Sequence, residues 1–104
     1  MTKPWQPCDE ETFAGLAGHL GVFELADAEG RVVYIGCADA RSLFGLRGAV
    51  PDKAREFAAD SFRVEVTTAY GTRWRELLMA HRADHGSLPI HNTEPAGLGR
   101  MSPA

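Results

Sequence analysis

The stretch from Gly21 to Gly36 constrains the fold more than any other part of the chain. Two short runs rich in β-branched and aromatic residues, 22–25 and 32–35, flank the segment 27–30, which ends in Gly30. Because glycine adopts a positive φ at little cost, this segment predicts a tight turn between two antiparallel strands. A β-hairpin is therefore the expected centre of the fold.

Helical and strand patterns surround this hairpin. Asp9 is the expected N-cap of a first helix, and Asp39 of a second helix that is interrupted and restarted at Pro51. The run 61–67 alternates apolar and polar residues and predicts a third strand, and the longest helix is expected at 73–85. The order predicts an α/β fold of the α+β type, with a small three-stranded antiparallel sheet flanked by helices.

The length of 104 residues supports one domain. We expect an N-terminal segment and helix at 1–20 packed on a core at 21–92, followed by a tail at 93–104 that contains Pro and Gly. No apolar run is long enough to span a membrane, and the first residues lack the hydrophobic region of a signal peptide. The sequence therefore predicts a cytoplasmic protein without a membrane partner.

Charge is distributed unevenly along the chain. The formal net charge of −3 argues against strong non-specific binding to duplex DNA, which relies on a basic surface. Residues 1–30 contain six acids and one base, and the remainder contains eight acids and ten bases. Nucleic acid therefore stays a candidate partner for residues 31–104. A protein partner could dock on the N-terminal helix or the C-terminal tail.

Two tripeptides of the hairpin carry a family resemblance. Gly21-Val22-Phe23 and, ten residues later, Tyr34-Ile35-Gly36 resemble the paired motif of the GIY-YIG nuclease superfamily. The resemblance implies a fold in which two hairpin strands and a later third strand support a site for phosphodiester hydrolysis. Phe23 replaces the Tyr that is usual in active members, and Phe lacks the hydroxyl donor and acceptor. The resemblance therefore implies attenuated or absent cleavage.

The same resemblance implies four site residues. Tyr34 would position the attacking water, Arg47 on the next helix would stabilise phosphate oxygens, and Glu76 on the last helix would bind Mg²⁺ or Mn²⁺. Asn92, in Pro89-Ile90-His91-Asn92, would support the geometry of the metal site. Arg41 is the alternative to Arg47, because Arg47 lies about one helical turn farther from Tyr34 than is common in the family.

Other interpretations of these residues stay open. Arg47 shares an apolar stripe with neighbouring residues, and Glu76 lies on a face of small residues, so the two could form a buried ion pair that fixes helix docking. Tyr34 could be an ordinary strand aromatic, and Asn92 could fix a turn. The domain would then be a non-catalytic module that binds nucleic acid or a phosphorylated ligand, or a small accessory subunit in a protein complex.

The histidines and cysteines suggest few further sites. His81 and His85 have the i, i+4 spacing of two ligands to one metal, with His91 as a candidate third ligand, although partly exposed histidines without a metal are commoner. Cys8 and Cys37 form no CxxC motif, and we expect free thiols. Cys37 follows the second tripeptide and is expected to be buried as a small hydrophobic residue.

Overall fold

The computed structural model describes residues 1–95 as a four-stranded antiparallel sheet flanked by helices. The elements are β1 (Gln6–Pro7), α1 (Glu10–Ala14), β2 (Gly21–Ala26), β3 (Val32–Ala38), α2 (Leu46–Glu56), β4 (Ser61–Val66) and α3 (Tyr70–His85). The strand order is β1-β4-β2-β3. The predicted fold class is confirmed, with four strands in place of three.

The predicted hairpin is confirmed as β2 and β3. Phe23 pairs with Gly36 and Leu25 with Tyr34, so these four residues lie on one face of the sheet. Gly30 in the turn has a φ of 81°, which glycine adopts without strain. The alternation of side chains along the two strands follows from this register.

Two hydrophobic clusters lie on opposite faces of the sheet. The first joins Phe23, Leu25 and Phe62 to residues of α1 and α2, including Phe13, Leu46 and Val50. The second joins Val22 and Ile35 to Leu77 and Leu78 of α3. Because side chains alternate along a strand, odd and even positions of β2 serve different clusters. The sheet therefore separates α2 from α3.

The predicted second helix begins later than expected. The Asp39 carboxylate accepts a hydrogen bond from the backbone N–H of Arg41 in a local turn, and α2 begins only at Leu46. Phe44 and Gly45 intervene with φ values of 64° and 57°, which no helix adopts. Pro51 lies within α2 and does not restart it, so the expected interruption is wrong.

The ends of the chain show one short strand that periodicity missed. Gln6 and Pro7 pair with Phe62 and Ser61 as β1, which is too brief to show a period of two. The Asp9 cap is confirmed by a 2.8 Å bond from the backbone N–H of Thr12. Among the described residues, no helix has the length and apolar character needed to cross a membrane. Most of the predicted tail, residues 96–104, lies outside the described residues.

Candidate functional site

A hollow of about 470 Å³ opens between the hairpin and α2, on the face of the sheet that α2 covers. We call it the aromatic hollow, and its lining includes Phe23, Tyr34, Cys37, Phe44, Asp52 and Lys53. Its volume is within the range of about 300–1,000 Å³ that is usual for small-molecule sites. The hollow therefore has room for a ligand of nucleotide size.

Tyr34 lies at the base of the aromatic hollow. Its ring centre is 5.9 Å from that of Phe23 and 4.9 Å from that of Phe57. Burial raises the pKa of the Tyr34 phenol, because a phenolate would lose hydration there. Within residues 1–95 its hydroxyl forms no hydrogen bond. A neutral hydroxyl is thus available to a ligand in the hollow.

Lys53 places a positive charge beside these rings. Its Nζ atom lies 5.9 Å from the centre of the Tyr34 ring and 5.7 Å from that of Phe57. The same Nζ atom donates a 3.0 Å hydrogen bond to Glu56 Oε1, which raises the pKa of the lysine. Lys53 therefore stays cationic and can bind an anion at the edge of the hollow.

Phe44 forms part of the rim. Its side chain is 68% exposed, and its left-handed φ of 64° is unfavourable for a residue with a Cβ. The neighbouring Gly45 is required by a close approach, since a Cβ there would lie 2.5 Å from the carbonyl oxygen of His19. Strained backbone of this kind clusters at binding sites. Phe44 thus presents an exposed apolar ring at the mouth of the hollow.

Gly36 leaves space for the rings of Phe23 and Tyr34, which both line the hollow. A Cβ at this position would lie 2.5 Å from Phe23 Cζ and 2.7 Å from Tyr34 Cε2. Cys37 borders the hollow, but it pairs with Val22 and packs against the second cluster, on the α3 face of the sheet. Burial together with the nearby Asp39 charge raises the pKa of its thiol. A raised pKa lowers the thiolate fraction, so Cys37 is a poor nucleophile.

Arg47 does not line the aromatic hollow. Leu46 and Val50 are buried as expected for the apolar stripe of α2, whereas Arg47 is exposed. At 100° per residue Arg47 lies roughly 120–160° around the helix axis from Ala49, Asp52 and Lys53. The prediction that Arg47 projects along the apolar stripe is therefore wrong. Arg41, the alternative, is exposed and 3.6 Å from Asp39.

Glu76 lies on α3, the helix that packs on the opposite face of the sheet. Its side chain is 58% exposed and lies 3.9 Å from the Arg73 guanidinium. Arg73 in turn donates a 2.7 Å hydrogen bond to Glu65. Because Glu76 and Arg47 are both exposed on helices that the sheet separates, they do not form the buried ion pair that was the alternative interpretation.

The family resemblance implies an Mg²⁺ or Mn²⁺ ion at Glu76, whose carboxylate lies beside the Arg73 guanidinium. Mg²⁺ usually binds one or two carboxylates together with waters and phosphate oxygens, and the positive charge of Arg73 weakens the attraction of this carboxylate for a cation. In the part of the chain that the structure describes, no group of three or more His, Cys, Asp or Glu residues is placed to hold a metal.

Asn92 bonds the outer edge of β3. Its Oδ1 atom accepts a 2.8 Å hydrogen bond from the backbone N–H of Ile35, and its Nδ2 atom donates a 2.9 Å bond to the carbonyl oxygen of the same residue. Trp74 Nε1 donates to that carbonyl oxygen as well, at 2.9 Å. The Asn92 carboxamide thus forms the two hydrogen bonds to Ile35 that a neighbouring strand would otherwise form. Both of its polar atoms are used in these bonds.

The sheet contains an ion pair that was not predicted from the sequence. Glu24 is 5% exposed and accepts a 2.6 Å hydrogen bond from Arg63 Nε on the neighbouring strand β4. The Arg63 guanidinium also lies 4.3 Å from the centre of the Trp5 ring. The sequence did contain a signal for this pair, because Glu24 is a carboxylate in the middle of a hairpin strand and Arg63 is an arginine in the strand that pairs with it.

Comparison with known proteins gives a family. Residues 1–84 match the family model described as a domain of unknown function (DUF7508). The match includes the hairpin, α2 and most of α3, and Asn92 lies beyond it. No curated protein matches the chain.

Proposed function

The chain belongs to this DUF7508 family, whose description states no function, and we propose that it is a GIY-YIG-like domain that binds nucleic acid without cleaving it. A nucleotide unit of a single strand would enter the aromatic hollow. The observation that carries the proposal is the combination of Tyr34, Phe44 and Lys53 around one hollow. We also propose that the protein is cytoplasmic.

The chemistry of a nucleotide fits this combination. A base stacks on exposed aromatic rings, and Phe44 offers such a ring at the rim. A phosphate oxygen can form an ion pair with the Lys53 ammonium group. The neutral Tyr34 hydroxyl can donate a hydrogen bond to a sugar or phosphate oxygen. Asp52 and Glu56 lie near Lys53 and lower the local positive potential. Binding is therefore modest and sensitive to salt.

Binding without hydrolysis is favoured by where the four predicted catalytic residues lie. Tyr34 is in the hollow, Arg47 is on the far flank of α2, and Glu76 is on the opposite side of the sheet. Asn92 uses both polar atoms on the backbone of Ile35. The hydrolysis that the family resemblance implies needs a cationic side chain, a water-activating group and a metal ion at one phosphate. The residues that would supply them are spread over both faces.

The test is fluorescence anisotropy with a labelled single-stranded oligonucleotide at low salt, using matched pairs of variants. Lys53→Gln and Arg47→Gln each remove one cation from α2, but only Lys53 lines the hollow. We expect Lys53→Gln to weaken binding and to reduce the salt slope by about 0.7, the value for one phosphate contact on a single strand. Arg47→Gln should bind like the wild type.

A second pair tests the stacking. Phe44→Ala and Ile90→Ala each remove an exposed apolar side chain, 68% and 80% exposed. Phe44→Ala should weaken binding by about tenfold, within the range for loss of one base stack. Equal effects within either pair, or no binding by the wild type, would overturn the proposal. Cleavage in Mg²⁺ or Mn²⁺ that is lost in Arg47→Gln and Glu76→Ala would replace it with the nuclease function.

A further inference from the structure

The C-terminal end of α3 carries two histidines one helical turn apart. His81 and His85 have ring centres 4.3 Å apart, with an angle of 34° between the ring planes. α3 ends at His85, and Gly86 continues with a left-handed φ of 81°. The chain therefore turns back on itself, and the carbonyl oxygen of Ser87 comes to 2.9 Å from His81 Nδ1.

This contact fixes the proton of His81. A carbonyl oxygen only accepts hydrogen bonds, so Nδ1 must carry the proton and donate it. In the neutral ring the lone pair then lies on Nε2, the atom that is left for a ligand. A backbone carbonyl on one ring nitrogen is also the usual arrangement behind a histidine that binds a metal through the other nitrogen.

Both histidines line a second cleft, distinct from the aromatic hollow. It has a volume of about 660 Å³ and is lined on its apolar side by Val32, Val33 and Leu88. Asp27 lines the same cleft, but its carboxylate already accepts hydrogen bonds from the backbone N–H groups of Glu29 and Arg31 and from Arg31 Nε.

The third histidine considered from the sequence does not join the pair. His91 stacks on Phe57, with ring centres 4.3 Å apart and an angle of 7° between the planes. Phe57 packs on Tyr34, beside the aromatic hollow. The cleft therefore offers two ring nitrogens, in agreement with the lack of any three-residue metal cluster within residues 1–95.

We propose that His81 and His85 form a two-histidine site for a divalent late transition-metal ion. Imidazole nitrogens suit Zn²⁺, Ni²⁺ and Cu²⁺, and Cu²⁺ binds most tightly in the usual order of affinities. Two protein ligands leave coordination positions for water or for a small ligand in the cleft. The site is separate from the binding of nucleic acid proposed above and does not depend on it.

The probe is Cu²⁺ added to the purified chain at one equivalent, followed by electron paramagnetic resonance. We expect hyperfine structure from two imidazole nitrogens in the wild type and from at most one in His81→Gln or His85→Gln. Zn²⁺ titration by calorimetry should show affinity lower by on the order of a hundredfold in either variant, because two ligands on one helix act as a chelate.

His19→Gln is the matched control, since His19 is exposed in the loop before β2. It should keep the two-nitrogen signal and the Zn²⁺ affinity of the wild type. Far-ultraviolet circular dichroism of each variant shows whether α3 is intact. A two-nitrogen signal that persists in His81→Gln or His85→Gln, or that is lost in His19→Gln, would overturn the site, as would a wild type without it.

Discussion

Asn92 and Ile35, 57 positions apart in the chain, form two hydrogen bonds through one carboxamide and one backbone unit. Ile35 is in the edge strand β3, and no strand within residues 1–95 lies beside its outer N–H and C=O groups. The backbone N–H of His91 donates in the same way to the carbonyl oxygen of Val33, at 3.0 Å. The segment after α3 thus protects an edge that would otherwise be open to pairing with another chain.

Asn92→Ala should destabilise the fold. It leaves the buried N–H of Ile35 without its acceptor, and an unsatisfied group of this kind costs about 1–3 kcal/mol. Urea unfolding followed by circular dichroism measures the loss. Thr93→Ala is the neighbouring control at an exposed position and should change the free energy of unfolding by under about 0.5 kcal/mol. Equal stability of the two variants would contradict the role assigned to Asn92.

Glu24→Ala should have a larger effect. Arg63 would keep its charge, with a side chain only 19% exposed, and lose its carboxylate partner. Breaking a buried ion pair from one side costs about 3–5 kcal/mol, and we expect the lower end because Arg63 also contacts Trp5. Glu24→Gln should recover part of the loss. Glu29→Ala, in the exposed turn, is the control, and a Glu24→Ala variant as stable as it would refute the prediction.

Glu76→Ala should be almost neutral for folding. Its carboxylate is exposed and 3.9 Å from Arg73, and surface pairs contribute about 0–1 kcal/mol. The free energy of unfolding should therefore shift by no more than about 0.5 kcal/mol in the denaturant experiment. A loss above about 2 kcal/mol would mean that Glu76 has a buried partner, contrary to the structure.

Stability should decrease in acid through Glu65. The hydrogen bond from Arg73 lowers the pKa of the Glu65 carboxyl below its ordinary value of 4.5. A pKa that is lower in the folded state stabilises the fold above the unfolded-state value, and the contribution is lost as the pH falls through the folded value. The free energy of unfolding should thus fall as the pH drops below about 4.5.

Glu65→Gln tests this dependence directly. The variant should be less stable than the wild type at pH 7 and should approach it at low pH, so the two stability curves converge in acid. Arg73→Gln should flatten the curve in the same way, and the double variant should add little to either single one. Parallel curves for wild type and Glu65→Gln would show that the pair has no part in acid unfolding.

Local patterns predicted the parts of the fold that depend on neighbouring residues. The hairpin, the Asp9 cap and the end of the last helix at His85 follow from turn chemistry and side-chain alternation over a few positions. The start of α2 depends on distant contacts instead. The N–H of Leu46 donates to the carbonyl oxygen of His19, and this contact accompanies the left-handed Phe44 that precludes a helix from Asp39.

The candidate site was harder to predict for a related reason. Helical periodicity gives the angular positions of Arg47 and Glu76 around their own helix axes. It does not say which of these directions other elements cover, or which face of the sheet each helix packs against. The partner of Asn92 is a backbone group in another element, which residue type alone does not identify. Lys53 was missed because a lysine on an amphipathic helix usually faces solvent.

Gly36 has a packing role that does not depend on any chemistry. Its hydrogen atoms occupy space that a methyl group would take from the rings of Phe23 and Tyr34. Close packing of the sheet is reason enough for a glycine at this position, whether or not a phosphodiester is cut. The glycine of the second tripeptide therefore indicates close contact between two strands, and catalytic activity has to be judged from the side chains around it.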